Sequence, residues 1–311
     1  MIRDLRRSDA AGLFDLMRLG FPDEERLAGT TPEALERIVR RVLRWDTRLV
    51  LGFLRLFGQT IFRYLVVDVD GRMVATTLLT FPERAGFVSN VMVHPEFRRR
   101  GYAQALLERA RQLAANQRRR YMALEVNQTN APAIALYERI GYRRLGPGAV
   151  TVNREASTPI SGGTSAAVRP FVPKDARALV ELARRTTPPE VLEVLPPQES
   201  SFRGSGFIDR ALESHTQAWV VDRGHGAEAH VAATLSGAAT SAHISGPVIG
   251  TSVPEDAVAA LVRAAIEWTE RTHPPRILGR VAGWNERGRA ALSGAGFRDV
   301  VANWTLFRPV A

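Results

Sequence analysis

At 311 residues the chain has room for two ordinary domains, each able to bury a core of its own. Cysteine is absent, which excludes disulfides, thiolate metal sites and a covalent acyl-cysteine intermediate. The formal charge of +10 is uneven: residues 1–155 hold 26 Arg and no Lys against 17 acids, a net of +9, whereas residues 156–311 hold 16 basic and 15 acidic side chains, a net of +1.

A basic excess focused in one half suits a polyanion or a phosphate-rich ligand; it equally suits a solvated, arginine-rich face. No aromatic-interleaved basic patch accompanies it, so nucleic acid is not expected as a partner. The histidines (His94, His215, His225, His230, His243, His273) never stand at metal-ligand spacing, and no metal is expected. No stretch approaches the roughly 20 apolar residues of a membrane span. The start, Met1-Ile2-Arg3-Asp4-Leu5, lacks the pattern of a signal peptide, and a cytoplasmic location is the expectation.

In chain order, Ile2-Arg3 predicts a short strand, Asp9 a helix N-cap, and Leu13 and Leu16 the apolar stripe of that helix. Thr31 to Gln59 is unusual, with an apolar run punctuated by arginine from Leu49 to Gly58. Walling an acceptor groove or packing between domains is the reading preferred; a membrane-interface helix and an oligomer contact are the alternatives. Arg63 to Val69 and Met73 to Thr80 alternate around Asp70-Gly71 as a hairpin, and Phe87 to Val93 is a further strand. Tyr102 to Asn116 has an inward stripe of Ala103, Leu106, Leu107, Ala110, Leu113 and Ala114. Tyr121 to Val126 is a strand and Ala131 to Ile140 a helix ended by Gly141.

Residues 156–167 are small, polar and rich in Gly, Ser and Thr, which reads as a linker between domains 1–155 and 168–311. Beyond it the pattern restarts. Val168-Arg169, Asp175, Leu179 and Leu182 repeat Ile2-Arg3, Asp9, Leu13 and Leu16 at an offset of 166. At an offset of 155, Asn130 meets Asn285, Ala135 meets Ala290, Gly141 meets Gly296 and Tyr142 meets Phe297. Two ordered matches around a linker argue for internal duplication. The expected fold class is α/β, with two tandem domains, each a mostly antiparallel mixed sheet flanked by helices.

The chemistry is concentrated in Val91-Met92-Val93-His94-Pro95-Glu96-Phe97-Arg98-Arg99-Arg100-Gly101-Tyr102-Ala103. A strand ends, a basic loop follows, and a helix begins at a glycine and a small residue, so free N–H groups and the helix dipole make an anion cradle. A plain basic helix cap is the simpler alternative. The loop has neither the Gly-Lys-Ser/Thr ending of a nucleotide triphosphatase loop nor the dinucleotide fingerprint.

This loop resembles the acetyl-CoA pyrophosphate site of the GCN5-related N-acetyltransferase (GNAT) superfamily, Arg/Gln-x-x-Gly-x-Gly/Ala, matched at Arg98, Gly101 and Ala103. The segment from Leu124-Glu125-Val126 through Asn130 to Leu136-Tyr137 and Gly141-Tyr142 resembles that family's second signature. The resemblance covers about residues 63 to 145, and within the family the nearest likeness is to ribosomal-protein N-terminal acetyltransferases. It implies an acetyl-CoA-dependent N-acetyltransferase. The pantetheine arm would lie along Val91, Met92 and Val93, and the pyrophosphate across Arg98, Arg99, Arg100, Gly101, Tyr102 and Ala103. Asn130 and Ala133 would flank the arm and Tyr137 would reach the sulfur. Glu125 would act as general base and Tyr137 as general acid. An N–H near Met92 or Val93 would stabilise the oxyanion, with direct attack by a primary amine, of a peptide N-terminus or a small molecule. Glu125 as a satisfied strand carboxylate, Tyr137 as packing and Asn130 as a helix cap are the plain alternatives. His94 is expected to face solvent, and Glu83 is a weaker base candidate. A noncatalytic acyl-CoA-binding sensor or scaffold is the competing function.

At the offset of 155 the second copy replaces Arg98 with Val253, Arg100 with Glu255, Gly101 with Asp256, Ala103 with Val258, Glu125 with Arg280 and Tyr137 with Leu292. Cradle, base and acid are all absent from their expected places, so residues 168–311 read as a noncatalytic copy of the same fold.

Overall fold

The computed structural model describes residues 1–20, 62–155, 158, 163, 165–202, 214–236, 241–272, 274 and 276–311. Expectations for Thr31 to Gln59, and most of the predicted linker, lie outside the described residues. In the first half, β1 (Ile2–Asp4) leads through a 3₁₀ turn into α1 (Ala10–Gly20). A meander of β2 (Phe62–Val69), β3 (Arg72–Thr80) and β4 (Ala85–Val93) comes next, then α2 (Tyr102–Asn116), β5 (Tyr121–Asn127), α3 (Ala131–Arg139) and β6 (Arg143–Glu155). The second half runs β7 (Val168–Pro170), α4 (Ala176–Thr186), α5 (Pro189–Val194), β8 (Ser214–Asp222), β9 (Ala227–Ser236) and β10 (Ser241–Ile249). It finishes with α6 (Glu255–Glu270), β11 (Arg276–Ala282), α7 (Glu286–Gly294) and β12 (Arg298–Pro309).

The duplication is visible in side-chain geometry. Arg3 grips Asp9 through two N–H donors at 2.6 and 2.8 Å and reaches Asp68 at 2.6 Å. Arg169 does the same to Asp175, at 2.8 Å twice, and to Asp222 at 2.7 Å. In each half one guanidinium therefore ties the first strand to the turn before the helix and to the end of the second strand. Asp9 and Asp175 do not cap their helices as expected: Asp9 accepts the Arg6 N–H at 2.6 Å and Asp175 the Val172 N–H at 2.9 Å. Each carboxylate is spent on its arginine and on closing the preceding turn.

The expectation of two separate sheets needs correction. The strands form one 12-stranded sheet in the order β1-β2-β3-β4-β5-β12-β6-β11-β10-β9-β8-β7. The order is palindromic when each strand is exchanged for its counterpart six places on. Each half sends its last strand into the other, so that β12 pairs with β5, β6 pairs with β11, and β6 and β12 pair together at the centre. Among the described strands, only β4 with β5 and β10 with β11 run parallel.

Alternation along the strands assigns the faces. Leu124 and Val126 of β5, with Leu306 of β12, pack under Leu106, Leu107 and Ala110 of α2 and Ile134 of α3. Ala85, Ala123 and Leu145 face the opposite way, against Val191 and Val194 of α5. A helix of the second half thus covers the first half's sheet. Arg154 at the end of β6 closes the seam from the other side. Its side chain is fully buried, donating to the Ala295 carbonyl at 3.0 Å, to Glu270 at 2.9 Å and to the Thr158 carbonyl.

Candidate active site

A break in β4 shapes the site. The β3–β4 ladder shifts register between Thr76 and Leu78, and Asn90 takes a φ of +52°, the signature of a bulge. Thr77 fastens it by donating its hydroxyl to the Ser89 carbonyl at 2.9 Å. Beyond the bulge β4 no longer follows β5: the parallel pairing covers only Ala85–Val88 against Tyr121–Leu124. Between the diverging strands lies a cavity of about 430 Å³. Ser89, Asn90 and Val91 form one wall, Glu125 and Asn127 another, and Asn130, Ala133 and Tyr137 of α3 a third.

The far wall belongs to the exchanged strands. Thr151 of β6, Leu278 and Arg280 of β11, and Val301 and Asn303 of β12 complete the lining. Asn303 is held by donating to the Ala149 carbonyl at 2.9 Å. These residues went unrecognised in the sequence, although Arg280 is the partner of Glu125 in the offset of 155. The structure joins those two equivalent positions directly in an ion pair. Glu125 also accepts the Ala149 N–H at 3.2 Å, so both of its oxygens are engaged.

Tyr137 is 6% exposed, beside Tyr142 at 5.9 Å between ring centroids. Burial pushes its phenol up to about 12, so it keeps its proton at neutral pH, and the residue lines the cavity. Asn130 lines the same cavity while its side chain accepts the Ala133 N–H at 3.2 Å, so it caps α3 as well. Met92 points the other way, into the cluster of Leu13, Leu16, Val66 and Met73, leaving only its backbone to serve the site.

The end of β4 leads directly to the basic loop. Arg99 and Gly101 adopt positive φ angles of 62° and 81°, turning the chain so that α2 starts without a side-chain cap. The N–H groups of its first turn therefore have no intrahelical acceptor. A Cβ at position 101 would meet no atom within 4 Å, so glycine serves the backbone turn and leaves the approach open. Arg98, Arg99 and Arg100 are exposed around this start, while Tyr102 and Val93 pack onto the α2 core and Ala103 is half-buried. Arg98 donates to the Val93 carbonyl at 3.3 Å, and Arg100 and Arg72 lie over the Phe97 ring at 5.0 and 5.2 Å. His94 is not solvent-facing as expected: it stands edge-on to Phe97 and within reach of Arg72 and Glu96, with 17% of its side chain exposed. Glu83 is exposed and outside the cavity lining.

The counterpart slot in the second half is closed. Helix α6 begins after Pro254 with Glu255 and Asp256, and Arg287 of α7 donates to the Gly250 and Val253 carbonyls and to Glu255 at 2.5, 2.7 and 2.6 Å. Asn285 reaches across to the Pro247 carbonyl at 2.6 Å. Helix α7 lies so near β10 that a Cβ at Gly288 would stand 2.9 Å from that same carbonyl.

The acetyltransferase (GNAT) family model matches residues 31–142. Among solved structures, a tandem GNAT protein from the clavulanic acid biosynthesis pathway, in a form without acetyl-CoA, is 17% identical. It aligns over 100% of this chain and 98% of its own, with a TM-score of 0.66. A GCN5-related N-acetyltransferase from Sphaerobacter thermophilus is 14% identical over 100% of this chain and 95% of its own, with a TM-score of 0.68. At such identities the likeness is one of fold. The family match is confined to the first half, and over the whole chain the likeness is to the tandem GNAT fold.

Proposed function

We propose that the protein is an acetyl-CoA-dependent N-acetyltransferase, with its single reaction site in the first half and its acceptor a primary amine. One observation carries the proposal. Strand β4 lines, at Ser89 to Val91, a cavity also lined by Tyr137 and Glu125 and leads on to the uncapped start of α2, whereas in the second half Arg287 ties the counterpart turn shut.

The residues present fit the cosubstrate. First-turn N–H groups of α2, with Arg98 to Arg100, would hold the pyrophosphate, and the divergent edge of β4 at Val91 to Val93 would receive the pantetheine arm between itself and Asn130 and Ala133. Acetyl-CoA supplies the activated acyl group and a thiolate leaving group. Tyr137 holds the proton that the leaving sulfur needs. Glu125 sits on the sheet face opposite α2, where an incoming amine would arrive, and an N–H of the bulged strand would face the carbonyl oxygen. The likeness to ribosomal-protein N-terminal acetyltransferases rests on Glu125 taking the amine's proton; here that carboxylate starts paired with Arg280.

Calorimetry on the full chain tests the reading, because the exchanged strands make isolated halves unsuitable. One equivalent of acetyl-CoA is expected, with binding abolished by Gly101→Glu, which adds a like charge and strains a positive-φ position. Two equivalents, or none, would reject the assignment. Binding without transfer to any amine would favour a sensor.

A further inference from the structure

Glu125 and Arg280 are the two charged side chains that line the seam cavity; the rest of its polar lining is amide and hydroxyl, including Asn90, Asn127, Thr151 and the protonated Tyr137. Their pairing makes the lining neutral overall. A simple alkylammonium therefore meets a carboxylate already compensated, and gains little by approaching it. More than half of the Arg280 side chain is exposed, and one of its five N–H donors is spent on Glu125. A molecule bearing an ammonium and an anion a few bonds apart would match both groups at once, exchanging one ion pair for two.

We infer that the acceptor is a small zwitterion, an amine with a carboxylate or similar anion within a few bonds of the nitrogen, and that Arg280 of the second half selects it. The inference rests on the acetyltransfer reading above. It assigns the second half a specificity role in a site whose chemistry belongs to the first. A peptide N-terminus whose first side chain is uncharged has no anion at that distance and leaves Arg280 unmatched. In the reaction the new C–N bond forms as the C–S bond breaks; of the two ammonium protons lost, one ends on the thiolate and one is released to solvent, so the zwitterion leaves as a monoanionic amide.

The test uses the full chain and labelled acetyl-CoA with 3-aminopropanoate, 4-aminobutanoate and an aromatic α-amino acid, each beside its carboxamide, and with one unblocked peptide. At least one carboxylate should exceed its carboxamide about tenfold in kcat/KM, equivalent to ~1.4 kcal/mol. Arg280→Met should bring that ratio near one, and Arg280→Lys should keep part of it. If Arg280→Met fails to fold, the wild-type ratio and the lysine variant decide. Carboxamides or the peptide acetylated as well as the carboxylates would overturn the inference while leaving acetyltransfer standing. Calorimetric binding of the same pairs in the presence of CoA needs no turnover. A carboxylate preference there without any transfer would support selection of the zwitterion by Arg280 while overturning acetyltransfer to it; no preference in either assay overturns the inference.

Discussion

Leu306 lies in the last strand of the chain, yet it is 0% exposed in the core under α2 and α3, beside Leu124 and Val126. Leu306→Ala trims a fully buried isobutyl group to a methyl between two ladders that hold the surrounding backbone, so little collapse can fill the space. Such losses cost about 3 kcal/mol or more. With a urea m-value of ~3 kcal/mol/M for a chain of this size, the midpoint should fall by about 1 M. The decisive feature is where the fall is seen. Because β12 is shared and Arg154 locks the seam, the halves should unfold as one cooperative unit. Hydrogen exchange read by mass spectrometry across a urea series follows peptides of β2–β3 and of β8–β9 separately. Both sets should shift together. Two midpoints in the wild type, or a β8–β9 midpoint that stays in place while β2–β3 moves, would refute the reasoning.

Tyr137→Phe keeps the ring packing and loses the proton donor, so single-turnover transfer should slow while acetyl-CoA binding barely changes; equal rates would remove Tyr137 as the acid. Glu125→Gln should lower kcat/KM about 10²-fold or more at neutral pH, with partial recovery as alkali deprotonates the amine; superimposable pH profiles would take Glu125 out of the mechanism. Acid stability should follow the two arginine clamps. Hydrogen bonds from Arg3 to Asp68, and from Arg169 to Asp175 and Asp222, hold these carboxyls below their ordinary range, so the stabilisation is full above the unfolded value near 4 and is lost as pH falls through the lower folded values. Arg169→Met should therefore flatten the decline of melting temperature between pH 5 and pH 3 measured by scanning calorimetry; an unchanged slope would discount the clamp.

The elements were legible because their signals are local. Asp70-Gly71 marked the hairpin, the stripe from Leu106 to Ala114 marked α2, and Asn130 marked the start of α3. The repeat was legible through Arg3 with Asp9 and Arg169 with Asp175, though not the third members, Asp68 and Asp222, whose partners are distant in sequence. Strand exchange left no trace of that kind. Alternation in β6 and β12 tells which side chains share a face, but says nothing of which neighbour takes the ladder. For the same reason Arg280 read as a lost base, when the fold brings it to Glu125. Met92 lies on the strand expected of it, while its side chain packs against α1, a partner that alternation alone does not name.

The exchanged strands also set a timetable for synthesis. Strand β5 leaves the ribosome with its lasting neighbour, β12, still some 180 residues from being made, a delay of roughly 10–40 s at ordinary elongation rates. Throughout that interval one edge of the N-terminal sheet lacks its permanent partner, a template open to other nascent chains. A message cut short within β12 would leave both halves with open edges, at β5 and at β6, rather than one intact half and a missing accessory. The arrangement couples assembly of the cavity to synthesis of β12.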